Sequence, residues 1–236
     1  MEDDLANIEQ RYARRRADAL GDRYVRVRPE VAAVMALMLR SFASEFRGHL
    51  TTPMADARIL EVGTGAGTNM LLLLALGASP ANLVANDLLP DRLQDARVVL
   101  PESVMTIAGD AGALDLPAEG FDVVLVSTVF SSILHDATRR RVATGIWRLV
   151  APGGGVLWHD FRRNNPRNHD VRRVTAGEIK VLFPEGRLSL RATMLAPPIA
   201  RAVCRTSDRL YAPLHAVALL RTHLTGFIAK PHRIVP

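Results

Sequence analysis

The sequence predicts an α/β fold: a doubly wound, mostly parallel seven-stranded sheet with helices on both faces, an antiparallel last strand and an N-terminal helical lid. Three observations carry this expectation. Apolar Ile59, Leu60 and Val62 run into a glycine-rich turn at Gly63, Gly65 and Gly67, and a helix follows from about Thr68. Strand-like and helix-like segments then alternate through residue 160, the pattern of a parallel sheet with crossover helices. Acidic residues also stand just past the predicted strands, where such sheets bind ligands.

In chain order, residues 5–20 read as an Arg-rich helix. Residues 29–46 read as a second helix, with Pro29 in its first turn and Val31, Val34, Met35, Met38 and Leu39 on one side. Thr51-Thr52-Pro53 is a linker. Strands are expected near 58–62, 82–86, 104–107, 121–127 and 154–159, and helices near 68–77, 90–99 and 136–150. Beyond these, 175–182 reads as a helix, 187–194 as a strand, 199–220 as helical segments interrupted at Pro213, and 223–229 as a last strand. No repeat or low-complexity segment interrupts this order.

The 236 residues suffice for one domain with a sizeable core, and 48% of them are apolar. No stretch is long and apolar enough to span a bilayer. The acidic start Met-Glu-Asp-Asp lacks a secretory h-region, and Cys204 is the only cysteine. A reduced, cytoplasmic setting is therefore expected. The net charge of +6 is uneven: residues 158–236 hold 14 Arg and Lys against 5 Asp and Glu, a net of +9. Residues 1–157 are then net −3. A basic C-terminal half suits an anionic partner or a solvated basic surface.

The glycine spacing is G-x-G-x-G, not the G-x-G-x-x-G of NAD- and FAD-binding turns, and Glu61 stands two residues before it. Asp87 ends the second strand about 20 residues on, where an acid accepts from ribose hydroxyls, although an Asp there also suits a helix cap. Ala108-Gly109-Asp110-Ala111 follows the third strand, Gly120-Phe121-Asp122 opens the fourth, and Pro152-Gly153-Gly154 precedes the fifth. Together, over residues 55 to 160, these segments resemble the class I (Rossmann-like) S-adenosylmethionine-dependent methyltransferases.

The resemblance implies S-adenosylmethionine as cofactor and S-adenosylhomocysteine as product. It places Glu61 near the cofactor's amino group, and Gly63, Thr64, Gly65 and Gly67 beneath its amino-acid and ribose portions. It places Asp87 and Leu88 at the ribose, Asp110 and Ala111 at the adenine, and Ser127 at the end of the fourth strand. The transfer needs nucleophile, methyl carbon and sulfur in line, and a hydroxyl acceptor benefits from a base. Asp160 is the first candidate base, followed by His135 and His159; His159 and Asp160 face opposite sides if the strand continues. Asp160 with Asn164 or Asn165 partly resembles the ligands of catechol-type methyltransferases. The matching acid after strand four is replaced by Ser127-Thr128, so no metal is expected.

Arg162, Arg163, Asn164 and Asn165 form a loop after Asp160 whose guanidinium and amide groups suit phosphate, carboxylate or hydroxyl groups. This loop and the tail resemble a bacterial subgroup associated with saccharide and specialised-metabolite pathways. The expected acceptor is a small-molecule hydroxyl, with carbon or nitrogen acceptors as alternatives. Nucleic acid is disfavoured because the Asn/Asp-Pro-Pro-Tyr signature is absent after strand four and Cys204 lies in the tail. Residues 1–52 are expected to cap the domain formed by 53–236, with Tyr12, Arg14 and Arg15 closing over the cofactor. A dimer is common for such domains.

Overall fold

The computed structural model describes residues 10–11, 29–165, 168–196, 199–200, 202–203, 207 and 210–233. Tyr12, Arg14, Arg15 and Cys204 lie outside these, so the expected lid over residues 1–52 is described only at residues 10–11 and from α1 (Pro29–His49) onward.

The first strand, β1 (Ile59–Val62), is buried along its whole length, as a central strand with apolar residues on both faces must be. It pairs in parallel with β2 (Leu83–Asp87) on one side and β4 (Phe121–Ser127) on the other. Helix α2 (Thr68–Ala75) makes the first crossover, and α3 (Pro90–Arg97) leads from β2 to the edge strand β3 (Met105–Ala108). Helix α4 (Asp136–Leu149) connects β4 to β5 (Val150–Phe161). After α5 (Ala176–Leu182) come β6 (Arg187–Leu195), α6 (Tyr211–Ala216) and β7 (Arg221–Ala229).

Among the described residues the sheet has seven strands in the order β3-β2-β1-β4-β5-β7-β6, and β7 runs opposite to the other six. The order reverses between β1 and β4, so a crevice opens at their carboxyl ends. Alternation along the strands splits the core into two layers. Ile59, Leu125, Leu157 and Phe227 pack with Phe42 and Phe46 of α1. Leu60, Val124, Val126 and Trp158 pack on the other face with Phe130, Ile146 and Phe183.

One boundary differs from expectation. Pro152-Gly153-Gly154 does not precede the fifth strand; it lies inside β5. The backbone at Gly153 is left-handed, at φ 82°, and the β4–β5 register shifts between Phe121 and Val123, so the segment is a bulge within the ladder. Lys230 holds it there: Gly153 N donates to the Lys230 carbonyl at 3.1 Å and Lys230 N donates to the Gly154 carbonyl at 2.8 Å. The Lys230 ammonium also donates to the Trp147 and Val150 carbonyls at the end of α4. Helix α5 opens on a capping box in which Thr175 and Glu178 satisfy each other's backbone N–H groups.

Candidate active site

The glycine turn works through backbone shape. Gly63, Gly65 and Gly67 have φ of 71°, 58° and 78°, a left-handed region costly for residues with a Cβ. The turn leans on β2: Thr64 N donates to the Asn86 carbonyl, and Gly65 N donates to Asp87 Oδ2, both at 2.8 Å. Leu89 N donates to Asp87 Oδ1 at 3.0 Å, and the Arg92 Nε lies 3.5 Å from Oδ2. Asn86 donates to the Ile107 and Gly109 carbonyls, which fixes the next turn beside the first.

A cavity sits in the crevice so formed. Gly63, Asp87, Leu88, Asp110, Ala111 and Ser127 line it. The opposite wall comes from the β4–α4 connection and α4 itself, at Thr128, Val129, Ser132, Ile133, Thr138 and Val142. Thr64, Gly65 and Gly67 sit behind this surface and shape the turn. Arg92 and the α4 wall carry no motif and were not anticipated from the sequence.

Glu61 is fully buried behind the turn. Its Oε1 accepts from Asn69 Nδ2 at 2.7 Å, and its Oε2 has no hydrogen-bond partner among the described residues. Burial pushes its carboxyl up to about 8, against the Asn69 hydrogen bond. A buried carboxylate oxygen without a donor is costly, and a ligand cation beside it would supply what the protein lacks. The ammonium of a bound S-adenosylmethionine fits that requirement.

At the far end of β5, His159 and Asp160 do face opposite sides. Asp160 is fully buried on the α4 face. Its Oδ2 accepts from Ser131 N at 3.0 Å and its Oδ1 from Phe161 N at 2.7 Å. Burial pushes this carboxyl up to about 6. Neither Asp160 nor His159 is in the cavity lining, and Asp160 is held by the β4–α4 connection through Ser131 N. His135 stands at the N-cap position of α4 without a side-chain capping bond, and it too is absent from the cavity wall.

His159 registers opposite cavity-lining Ser127 and shares its face. Its Nδ1 lies 2.7 Å from Thr225 Oγ1, which lies 2.6 Å from Thr193 Oγ1. The His223 ring stacks on it at 4.8 Å with an interplanar angle of 6°. Burial pushes His159 down to about 4 and His223 well below the ordinary histidine range, so both rings are neutral. This Thr–Thr–His row was not visible in the sequence, because Thr193, His223 and Thr225 carry no motif.

Thr128 joins the two ends. It is a β-branched residue at φ 55°, held by its N–H donating to the His159 carbonyl at 2.8 Å. Beyond β5, Arg162 N donates to the Thr222 carbonyl and Asn164 Oδ1 accepts from Arg173 N. The Arg162 and Arg163 side chains and Asn165 are at least partly exposed beside the carboxyl edge and outside the cavity lining. Arg11, buried at 7% exposure, donates to the Ser132 and Asp170 carbonyls and so ties the N-terminal segment to the cavity wall. Among the described residues no cluster of His, Cys, Asp and Glu is arranged to hold a metal, and no helix is long and apolar enough to cross a membrane.

Strand order, glycine turn and acid-lined crevice define the class I methyltransferase fold. Residues 59–154 match the model of the methyltransferase-domain family. A malonyl-[acyl-carrier protein] O-methyltransferase of Bacteroides fragilis is 29% identical over 148 residues, 62% of this chain and 28% of that protein. A tRNA N(3)-cytidine methyltransferase of Gallus gallus is 30% identical over 117 residues, 46% of this chain and 31% of that protein. The chain thus spans less than a third of the length of either relative. The crystal structure of a SAM-dependent methyltransferase from Archaeoglobus fulgidus shares the fold at 13% identity, with a TM-score of 0.55, over 81% of this chain and 94% of its own.

Proposed function

We propose that the protein transfers the methyl group of S-adenosylmethionine to a hydroxyl of a small-molecule acceptor, in a saccharide or specialised-metabolite pathway. The observation that carries this reading is the placement of His159, in register with cavity-lining Ser127 and bonded through Nδ1 to Thr225 Oγ1. With the cofactor bound, its sulfonium supplies an electrophilic methyl and a neutral leaving group. The protein aligns the acceptor and takes its proton. His159 can do so at Nε2 when its Nδ1–H donates to Thr225 Oγ1. The hydroxyl oxygen then bonds to the methyl carbon, the carbon–sulfur pair returns to sulfur, and the proton stays on the imidazole. In this reading Arg162, Arg163, Asn164 and Asn165 would contact polar or anionic groups of the acceptor, and residues 1–52 would cap it, with Arg11 bonded to the Ser132 and Asp170 carbonyls.

An RNA acceptor is the second reading, favoured by the tRNA-methylating relative and the sequence pI of 10.3. Incubating the protein with methyl-labelled S-adenosylmethionine and separated low-mass and RNA fractions of a cell extract distinguishes the two. Label should enter the low-mass fraction, and His159→Asn should lower that turnover at least tenfold with unchanged S-adenosylhomocysteine affinity. Label confined to ribonuclease-sensitive material would overturn the small-molecule reading.

A further inference from the structure

Helix α4 meets the Asp110 end of the cavity through a close backbone contact. Thr138 and Val142 line the cavity, and the same helix presents Arg141 and Gly145, one turn apart, to the Asp110–Gly112 turn. Gly145 lets the two backbones touch: a Cβ there would stand 2.8 Å from the Ala111 carbonyl oxygen and from Gly112 Cα. Arg141 fills the adjoining space, its Nη1 lying 2.5 Å from where a Gly112 Cβ would be.

The same nitrogen lies 2.5 Å from Asp110 Oδ2, while Asp110 Oδ1 accepts from Gly112 N at 2.8 Å. Both oxygens are therefore pinned, one by the turn and one by the helix. The Arg141 Nε and Nη2 are buried with no partner among the described residues, and its ion pair runs through Nη1 to Asp110. An Arg-paired carboxylate is an acceptor only, and a pinned one cannot rotate to offer different lone pairs.

We infer that Arg141 is a positioning residue for purine specificity: it fixes Asp110 as an oriented acceptor for a 6-amino purine and against a 6-oxo purine. The inference rests on the reading that Asp110 accepts from the adenine amino group. A 6-oxo ring would bring an oxygen acceptor against a carboxylate acceptor, and a site built for one hydrogen bond strongly rejects an analogue that cannot make it. Gly145 supports the same arrangement by keeping α4 close enough for Arg141 to reach.

Calorimetry on the full chain tests this with two ligands, S-adenosylhomocysteine and its 6-oxo analogue S-inosylhomocysteine. Wild type should prefer the amino ligand by about 100-fold. Arg141→Gln should cut that preference about tenfold, chiefly by weakening the amino ligand, and Arg141→Lys should restore part of it. Gly145→Ala should act in the same direction. An unchanged preference in Arg141→Gln, with both ligands weakened alike, would mean Arg141 only supports the fold and would overturn the inference. A wild type that binds both ligands equally would instead overturn the placement of adenine at Asp110.

Discussion

On the two sides of the strand-order reversal, Glu61 and His159 are satisfied in opposite ways. On the β1–β3 side, Glu61 is fully buried yet leaves Oε2 without a partner, and the Asp87 carboxylate faces the cavity with backbone N–H groups behind it. On the β5–β7 side, His159, Thr225 and Thr193 bond to one another, and His223 stacks on His159. The first side is incomplete and calls for a ligand. The His159 group is nearly self-sufficient: burial lowers the pKa of both rings, and His159 lowers that of His223 further. A region waiting for a ligand should lose binding when altered, whereas a self-satisfied one should lose stability or turnover.

The largest expected effect tests the first half of that contrast. Asp87→Ala removes the acceptor for Gly65 N and Leu89 N together with the proposed ribose contact, and should weaken S-adenosylhomocysteine about 100-fold by calorimetry. Binding within threefold of wild type would erase the distinction. The next effect tests the second half. His159 titrates near 4 in the folded protein, below its ordinary 6.5, so the unfolded chain takes up the proton first. Its stabilising contribution is full above pH 6.5 and is lost as pH falls toward 4, on the order of 2 kcal/mol. The raised carboxyls of Glu61 and Asp160 act in the opposite sense, so the measurement is the difference between wild type and His159→Asn in urea midpoints at pH 7 and pH 5. That difference should shrink at the lower pH.

The smallest effect lies at the join. Thr128→Gly relieves the left-handed backbone at φ 55° and should stabilise the protein by about 1 kcal/mol, read as a rise of a few degrees in Tm. A fall would show that the Thr128 side chain, whose Oγ1 donates to the Ser127 carbonyl, outweighs the strain.

Much of the first region was legible in the sequence and little of the second. The strand–glycine–helix turn, Asp87 and Asp110 are local features, each fixed by neighbours a few residues away, and they line one cavity. Alternation also showed that His159 and Asp160 part ways. It could not show that the β4–α4 connection covers Asp160. Thr193, His223 and Thr225 meet His159 only through antiparallel pairing of two late strands. Pro152-Gly153-Gly154 looks like a turn locally, and Lys230 overrides that from 76 positions or more along the chain, the separation from Gly153 to Lys230 being 77. Arg141 stands beside Arg139 and Arg140 in a basic helix, where nothing in the sequence marks the one that meets Asp110.

In the proposed function, the cofactor's ammonium would pair with Glu61 Oε2, the buried oxygen without a partner among the described residues. With its carboxyl pushed up to about 8, Glu61 is largely protonated at pH 7 without ligand and must ionise to pair with that ammonium. Calorimetry of S-adenosylhomocysteine binding at pH 7, in buffers of different ionisation enthalpy, should therefore show release of about one proton, with affinity rising toward pH 8. Glu61→Gln should abolish the release and weaken binding. Binding without proton release, and equally tight in Glu61→Gln, would contradict the account.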